Sequence, residues 1–228
     1  MSENEKAKIV MMEYDGYTSA DDRLFDTTSA DNAKEAEIFN ENYLYGPMPY
    51  IVGSGKFPVK VDEAIAVAEA GKETEIVVAC EEALGPKDPK LVEIVPMKVF
   101  AKDNVMPYKD MTVYVNDRVG RVVTVTGGRV RVDFNSPLAG HDLKYKFKIL
   151  EVIEDSVEKA KAIVLLNFGS NEGFEFTVTE EKVSIVLPDL VKYNKDWPTI
   201  RYRVVTDLRT VLGISTIELI EVWAVKTS

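Results

Sequence analysis

The stretch Arg131–Val152, RVDFNSPLAGHDLKYKFKILEV, decides how the chain is divided. From Leu143 onward it alternates apolar and polar residues, the period of a half-buried strand. Its first half, NSPLAG, is turn chemistry followed by His141. The other long strand-like runs lie far upstream. A strand introduced this way reads as the closing piece of a domain that begins at the N-terminus and is interrupted by an insertion.

Upstream, Lys8–Tyr14 reads as a strand, and YTSADDRLFDTTS carries turn residues at Ser19, Asp21 and Asp22. Asp31–Asn40 reads as a short helix or ordered loop, and Pro49–Gly53 as a strand ended by glycine. Val61, Ala64, Ile65 and Ala68 recur at helical spacing, predicting a helix over Val61–Ala70 stopped by Gly71. Glu73–Cys80 is a further strand. GPKDPK at Gly85–Lys90 is boundary chemistry. Met111–Val115, Arg121–Val125 and Arg129–Phe134 alternate like strands, with Gly127-Gly128 as a hairpin turn. Residues 86–129 therefore read as a small all-β insertion.

Beyond Val152, Ser156–Leu166 has a helical face, and Phe174–Val178 with Lys182–Leu187 reads as a hairpin. Asp196–Leu212 reads as a helix with Asp196 as N-cap, Pro198 in the first turn and Gly213 as its stop, before a strand over Thr216–Val225. The order α-β-β-α-β matches a ferredoxin-like sandwich without its first strand, which Leu143–Val152 is the candidate to supply. The fold class is α+β in three domains: 1–85 with 130–154, 86–129, and 155–228.

Composition narrows the function. A net charge of −10 over 228 residues opposes a nucleic-acid or membrane-surface binder, which needs a positive field. Cys80 is the only cysteine, which excludes an intramolecular disulfide and fits a reducing, cytoplasmic setting. His141 is the only histidine, so sites needing several imidazoles are excluded. No metal or cofactor is expected. The charged start, MSENEKAKIV, lacks a signal-peptide apolar region, and no apolar run is long enough to span a bilayer.

YDGY, DDRLFDTT, PYIVGSGKFPVKVDEAIAVAEAGKE, ALG, VPMKVF and DFNSPLAGHDLKYKFKILEV, in that order, resemble the FKBP-type peptidyl-prolyl cis-trans isomerases in their SlyD-like form. The region after Val152 fits the long archaeal subtype of that family. The resemblance implies an antiparallel sheet wrapped around a helix, an apolar pocket between them, and a chaperone domain inserted in the flap. It implies isomerisation of X-Pro bonds and holdase or foldase activity toward unfolded polypeptides. By the same resemblance the catalytic residues are Tyr14, Phe25, Asp26 and Tyr145, and the substrate-binding residues are Met48, Tyr50, Phe57, Pro58, Val61 and Leu84. The chaperone surface is Val92, Ile94, Val95, Pro96, Phe100, Met106 and Met111. Proline-containing peptides and unfolded chains are the expected partners.

The residues alone support a plainer alternative. Phe25, Tyr50 and Tyr145 suit any β-core, Asp26 suits a turn, Cys80 suits a buried small hydrophobe, and the apolar residues of the insertion suit its own core. The sequence also departs from the family. ALG stands where AYG is usual, so Leu84 brings no hydroxyl. Pro58 stands where an isoleucine N–H usually binds substrate, and Val61 where a large aromatic floors the pocket. Two lost hydrogen bonds at about 0.5–1.5 kcal/mol each would weaken binding by one or two orders of magnitude. The competing reading is a chaperone or peptide-binding module with a weakened isomerase site.

Overall fold

A computed structural model describes residues 7–223. The elements are β1 (Ile9–Thr18), β2 (Arg23–Thr27), α1 (Ala30–Glu35), β3 (Met48–Ile51), α2 (Val59–Val67), β4 (Glu73–Val78), β5 (Val92–Pro96), α3 (Met97–Ala101), β6 (Thr112–Val115), β7 (Arg118–Thr126), β8 (Arg129–Asp133) and β9 (Leu143–Ile153). They continue as α4 (Ser156–Phe168), β10 (Glu175–Val178), β11 (Lys182–Leu187), α5 (Asp189–Lys192), α6 (Trp197–Leu212) and β12 (Thr216–Glu221). The fold is α+β. Among the described residues no helix is long and apolar enough to cross a membrane.

By contacts the chain forms two compact units. One holds Met1–Tyr17, Asp22–Val77 and Lys144–Ser228, and the other Thr18–Asp21 and Val78–Leu143.

In the five-stranded sheet the order is β2-β1-β9-β4, with β3 paired antiparallel to β1 through Val10↔Tyr50 and Met12↔Met48. The late strand thus lies beside the first one, and the alternation of LKYKFKI turns one of its faces inward. Leu143, Tyr145, Phe147 and Ile149 are buried while Lys144, Lys146 and Lys148 are not. Val61 and Ile65, four residues apart, form the buried stripe of α2. That helix ends at Val67 with Ala68 extended, earlier than the expected stop at Gly71. The N–H of Gly71 instead donates to the Ile149 carbonyl at 2.7 Å, so pairing with β9, not helix propensity, sets the turn.

Inside the second unit the order is β5-β8-β7-β6 around Val95, Phe100, Val113, Val115, Val122, Val130 and Val132. Thr126 pairs with Arg129, and Gly127 and Gly128 have φ +55° and +75°, as a two-residue type I′ turn demands. A second such turn, Asn116-Asp117 between paired Val115 and Arg118, has φ +50° and +60°. That signal and the strand β5 escape a reading by alternation alone. NSPLAG closes the excursion. The Asn135 side chain accepts from the Asp88 N–H (2.8 Å) and donates to the Asp88 carbonyl (3.0 Å), and the Gly140 N–H donates to the Gly85 carbonyl at 2.8 Å.

After β9, the Asp155 carboxylate caps α4, accepting from the Val157 and Glu158 N–H groups at 2.9 Å. Asp196 does sit at the start of α6, but its side chain makes no cap. Its own N–H donates to Asn194 Oδ1 at 2.8 Å. The last sheet has the order β10-β11-β12, antiparallel and then parallel. Leu143–Val152 does not supply a fourth strand to it, because β9 is taken up between β1 and β4, whose neighbours bury its apolar face. A helix at Asp189–Lys192, unforeseen in the sequence, intervenes. The expected strand runs to Glu221, and Ala224 and Val225 lie outside the described residues. The core of this region, including Ile163, Val204, Leu208 and Val211, is continuous with Ile9, Ile51 and Ile153.

Candidate functional site

Rings from five separate segments meet in the first unit. β1 brings Tyr14, β2 brings Phe25, β3 brings Tyr50, the turn before α2 brings Phe57, and β9 brings Tyr145. Phe57 is the hub. Its ring centroid lies 5.0 Å from Tyr14, 5.0 Å from Tyr50 and 5.7 Å from Tyr145, all edge-on, and Tyr145 meets Phe25 at 5.8 Å. Edge-to-face geometry sets the positive rim of one ring on the negative face of the next. Tyr14, Tyr50, Phe57 and Tyr145 are each no more than 7% exposed.

Gly16, two residues past Tyr14 on β1, explains where Phe25 lies. A Cβ at Gly16 would come within 2.7 Å of Phe25 Cζ, so the ring rests directly on the β1 backbone. Asp26 follows. The Tyr14 hydroxyl donates to its Oδ2 at 2.6 Å and the Thr27 N–H to its Oδ1 at 2.9 Å. Tyr50 donates to Asp62 Oδ1 at 2.8 Å. Burial, then the bond to Asp26, pushes the Tyr14 phenol far above its ordinary pKa. Burial pushes Tyr145 up to about 12, and burial with the Asp62 bond raises Tyr50. These phenols are neutral donors at physiological pH, and none is poised to exchange protons.

A cleft of about 170 Å³ opens beside these rings, lined by Phe25, Asp26 and Thr27 on one side and Ile38, Asn40, Tyr43 and Tyr45 on the other. Those last residues come from the loop after α1, where Phe39 and Tyr45 stack at 5.1 Å. The aromatic density of IFNENYLY was the available sequence signal for this wall. Lys56 was also missed. Its ammonium lies 4.9 Å from the Tyr14 ring centroid and 5.5 Å from that of Phe57.

Of the ten expected site residues, the structure brings Tyr14, Phe25, Asp26, Tyr50, Phe57 and Tyr145 together. Met48 reaches the group through Lys56, whose Nζ is 3.2 Å from its Sδ. Val61 is buried on α2. Pro58 is the residue at the N-terminus of α2, and its carbonyl accepts from the Val61 and Asp62 N–H groups. Leu84 belongs to the second unit and is 52% exposed.

The expected chaperone surface divides. Val95 and Phe100 are buried in the core of the insertion and are not surface, because β5 turns Val95 inward and α3 turns Phe100 onto the same core. Val92 and Met111 are half-buried, and Ile94, Pro96 and Met106 are exposed. Tyr108, Tyr114 and Val119 are exposed too, and they extend the apolar surface beyond the residues named from sequence.

Known proteins bear on this arrangement. Residues 93–138 match the family model FKBP26, IF domain, and residues 156–224 match the model FKBP26_C-terminal. The chain is 30% identical over 132 residues to the short-type peptidyl-prolyl cis-trans isomerase of Methanocaldococcus jannaschii, covering 58% of this chain and 84% of that protein. It is also 30% identical over 132 residues to the FKBP-type peptidyl-prolyl cis-trans isomerase SlyD of Helicobacter pylori, covering 56% of this chain and 70% of that one. With a probable FKBP-type 16 kDa isomerase of Pseudomonas fluorescens it shares 29% identity over 124 residues, 52% of this chain and 81% of the other. Rings gathered around a tyrosine-anchored carboxylate, and relatives matched across most of their length, place this chain in the FKBP-type peptidyl-prolyl cis-trans isomerases, on the SlyD-like branch.

Proposed function

We propose that the chain rotates X-Pro bonds at the ring cluster and holds unfolded polypeptides on its insertion. The observation that carries the first part is the Tyr14–Asp26 hydrogen bond of 2.6 Å set among the rings of Phe25, Phe57 and Tyr145. Rotation about a peptide bond costs about 18–20 kcal/mol because amide resonance is lost in the twisted state. Breaking that resonance needs neither nucleophile nor proton transfer. It needs an apolar wall that favours the less solvated twisted imide and a fixed dipole for its carbonyl. The rings supply the wall. Asp26, held by Tyr14 and the Thr27 N–H, supplies fixed negative charge, either accepting a hydrogen bond or contacting the carbonyl carbon.

A weakened site is the second reading, and Pro58 favours it. Proline at the start of α2 has no N–H to offer a bound peptide, and Leu84 has no hydroxyl. Refolding of a protein limited by one X-Pro bond separates the two readings. Acceleration at catalytic concentrations supports the isomerase. An uncatalysed rate with aggregation still suppressed supports the chaperone alone.

The holdase role rests on Ile94, Met106 and Tyr114, exposed on a small domain with its own core. Met side chains adapt to varied partners. Replacing all three with serine in the full chain should abolish suppression of aggregation and spare turnover, and unchanged suppression refutes the assignment. We read the chain as three domains, 1–85 with 130–154, 86–129 and 155–228. The separate core of the insertion and the Asn135–Asp88 clamp at its base support an inserted unit, whose core also takes in Val130 and Val132 of β8. The FKBP26-type matches over 93–138 and 156–224 support an insertion and a C-terminal region of that type, and we read the chain as the long archaeal subtype. The single cysteine supports a reducing, cytoplasmic setting.

A further inference from the structure

Lys56 stands at the ring cluster with its charge poorly answered. Its Nζ lies over the faces of Tyr14 and Phe57, and its one hydrogen bond among the described residues is to the thioether of Met48 at 3.2 Å. An ammonium carries three donors, and sulfur is a weak acceptor. Asp26 attracts the ammonium through space, while its oxygens accept from the Tyr14 hydroxyl and the Thr27 N–H. Loss of water around the ammonium pushes its pKa down, against the opposing pull of the Asp26 charge. The segment that carries it, Gly53–Lys56, is exposed, so Lys56 can swing aside on its four-carbon stem.

An incoming proline would take the ring faces that the ammonium now covers. The charge then moves to the rim of the site, within reach of residues beside the proline. We propose that Lys56 is a specificity-determining residue that selects peptides carrying a carboxylate next to the proline. A neutral neighbour gives the displaced ammonium only water, whereas a carboxylate gives it a charge-assisted partner at a partly desolvated place. The inference rests on the isomerase reading and adds substrate class to it.

The test uses the full chain and peptides that differ at one position, with leucine, glutamine, glutamate or lysine before the proline, and glutamate after it in a fifth. Turnover is measured by exchange NMR and affinity by NMR titration of the same peptides. The wild type should favour glutamate over glutamine by about tenfold in kcat/KM, the worth of one charge-assisted hydrogen bond. The arm with glutamate after the proline shows which side Lys56 reaches, and a preference on either side supports the proposal. Lys56→Met, which keeps the bulk of the side chain, should bring the ratio to about one, and Lys56→Glu should shift preference to lysine. Raising salt should shrink the wild-type ratio. Equal rates for glutamate and glutamine in the wild type, or a ratio that Lys56→Met leaves intact, overturns the proposal. Binding without turnover in every arm removes the isomerase reading alone, and the affinity ratios then decide the role of Lys56. Neither binding nor turnover by the wild type removes both.

Discussion

Replacing Gly16 with alanine tests whether the placement of Phe25 is built by a missing side chain. The added Cβ would lie 2.7 Å from Phe25 Cζ and 2.9 Å from Cε2, closer than side-chain atoms approach one another. Gly16 is buried on β1 and has a φ that alanine can adopt, so the cost is steric and not conformational. Overpacking of this kind costs about 2 kcal/mol. Alanine also restricts the unfolded chain, which returns about 0.5 kcal/mol. The net loss of about 1.5 kcal/mol should lower Tm by about 3–6 °C in a chain of this size. The ring escapes the clash by leaving its edge-on contact with Tyr145 at 5.8 Å, so turnover should fall further than stability accounts for, at temperatures where the variant is folded. Thermal unfolding and proline-limited refolding read the two effects. Trimming the ring as well, in Gly16→Ala with Phe25→Leu, should restore Tm above that of the single variant, since the contact is shared. An unchanged Tm and unchanged turnover in Gly16→Ala would refute the argument that the bare backbone seats the ring.

Other perturbations probe separate joints. Tyr14→Phe removes the donor to Asp26 and leaves a half-buried carboxylate short of a partner, so it should cost about 1.5–3 kcal/mol by denaturant unfolding and lower turnover. A loss under 0.5 kcal/mol would show that Asp26 is held by other means. Asn135→Ala cuts both hydrogen bonds to the Asp88 backbone and should raise amide exchange at residues 86–90 without altering exchange in β9. In alkali, the raised phenols set the sign of the pH dependence. Because the folded pKa of Tyr145 is about 12 against about 10 unfolded, its contribution is complete below pH 10 and is lost as pH climbs through 12. Tm should fall across that window, and Tyr145→Phe should flatten part of the fall.

Legibility in the sequence followed the reach of the interactions. A strand over Leu143–Val152 was readable because period-2 alternation reports one buried face, whatever the neighbours. The ring set was readable only by family pattern, since Phe25 or Tyr145 alone looks like any core aromatic. Gly16 was quoted within YDGY, yet its meaning lies in the distance to Phe25, which no local pattern records. Lys56 was invisible for a related reason. A lysine beside glycines reads as a solvated turn, and only the fold shows its ammonium on two ring faces. Val95 and Phe100 were misjudged because an apolar residue in a small insertion serves either its core or its surface, and strand phase decides which. That phase was missed with β5 itself.

The interruption between β4 and β9 is tolerable for a physical reason visible in NSPLAG. Strands paired across a long excursion incur loop-closure entropy, which rises only as the logarithm of loop length. A segment with its own core lowers that cost again once its ends are held together. Asn135 ties both polar groups of the Asp88 backbone, and Gly140 ties Gly85, so the chain leaves and returns at one place. To the five-stranded sheet the folded insertion is then equivalent to a short connection, and Tyr145 can be delivered to Phe57 as if the intervening residues were absent. The turn that opens the late strand is therefore the element that joins the two ends of the ring cluster, and its sequence is constrained by closure as well as by the bend.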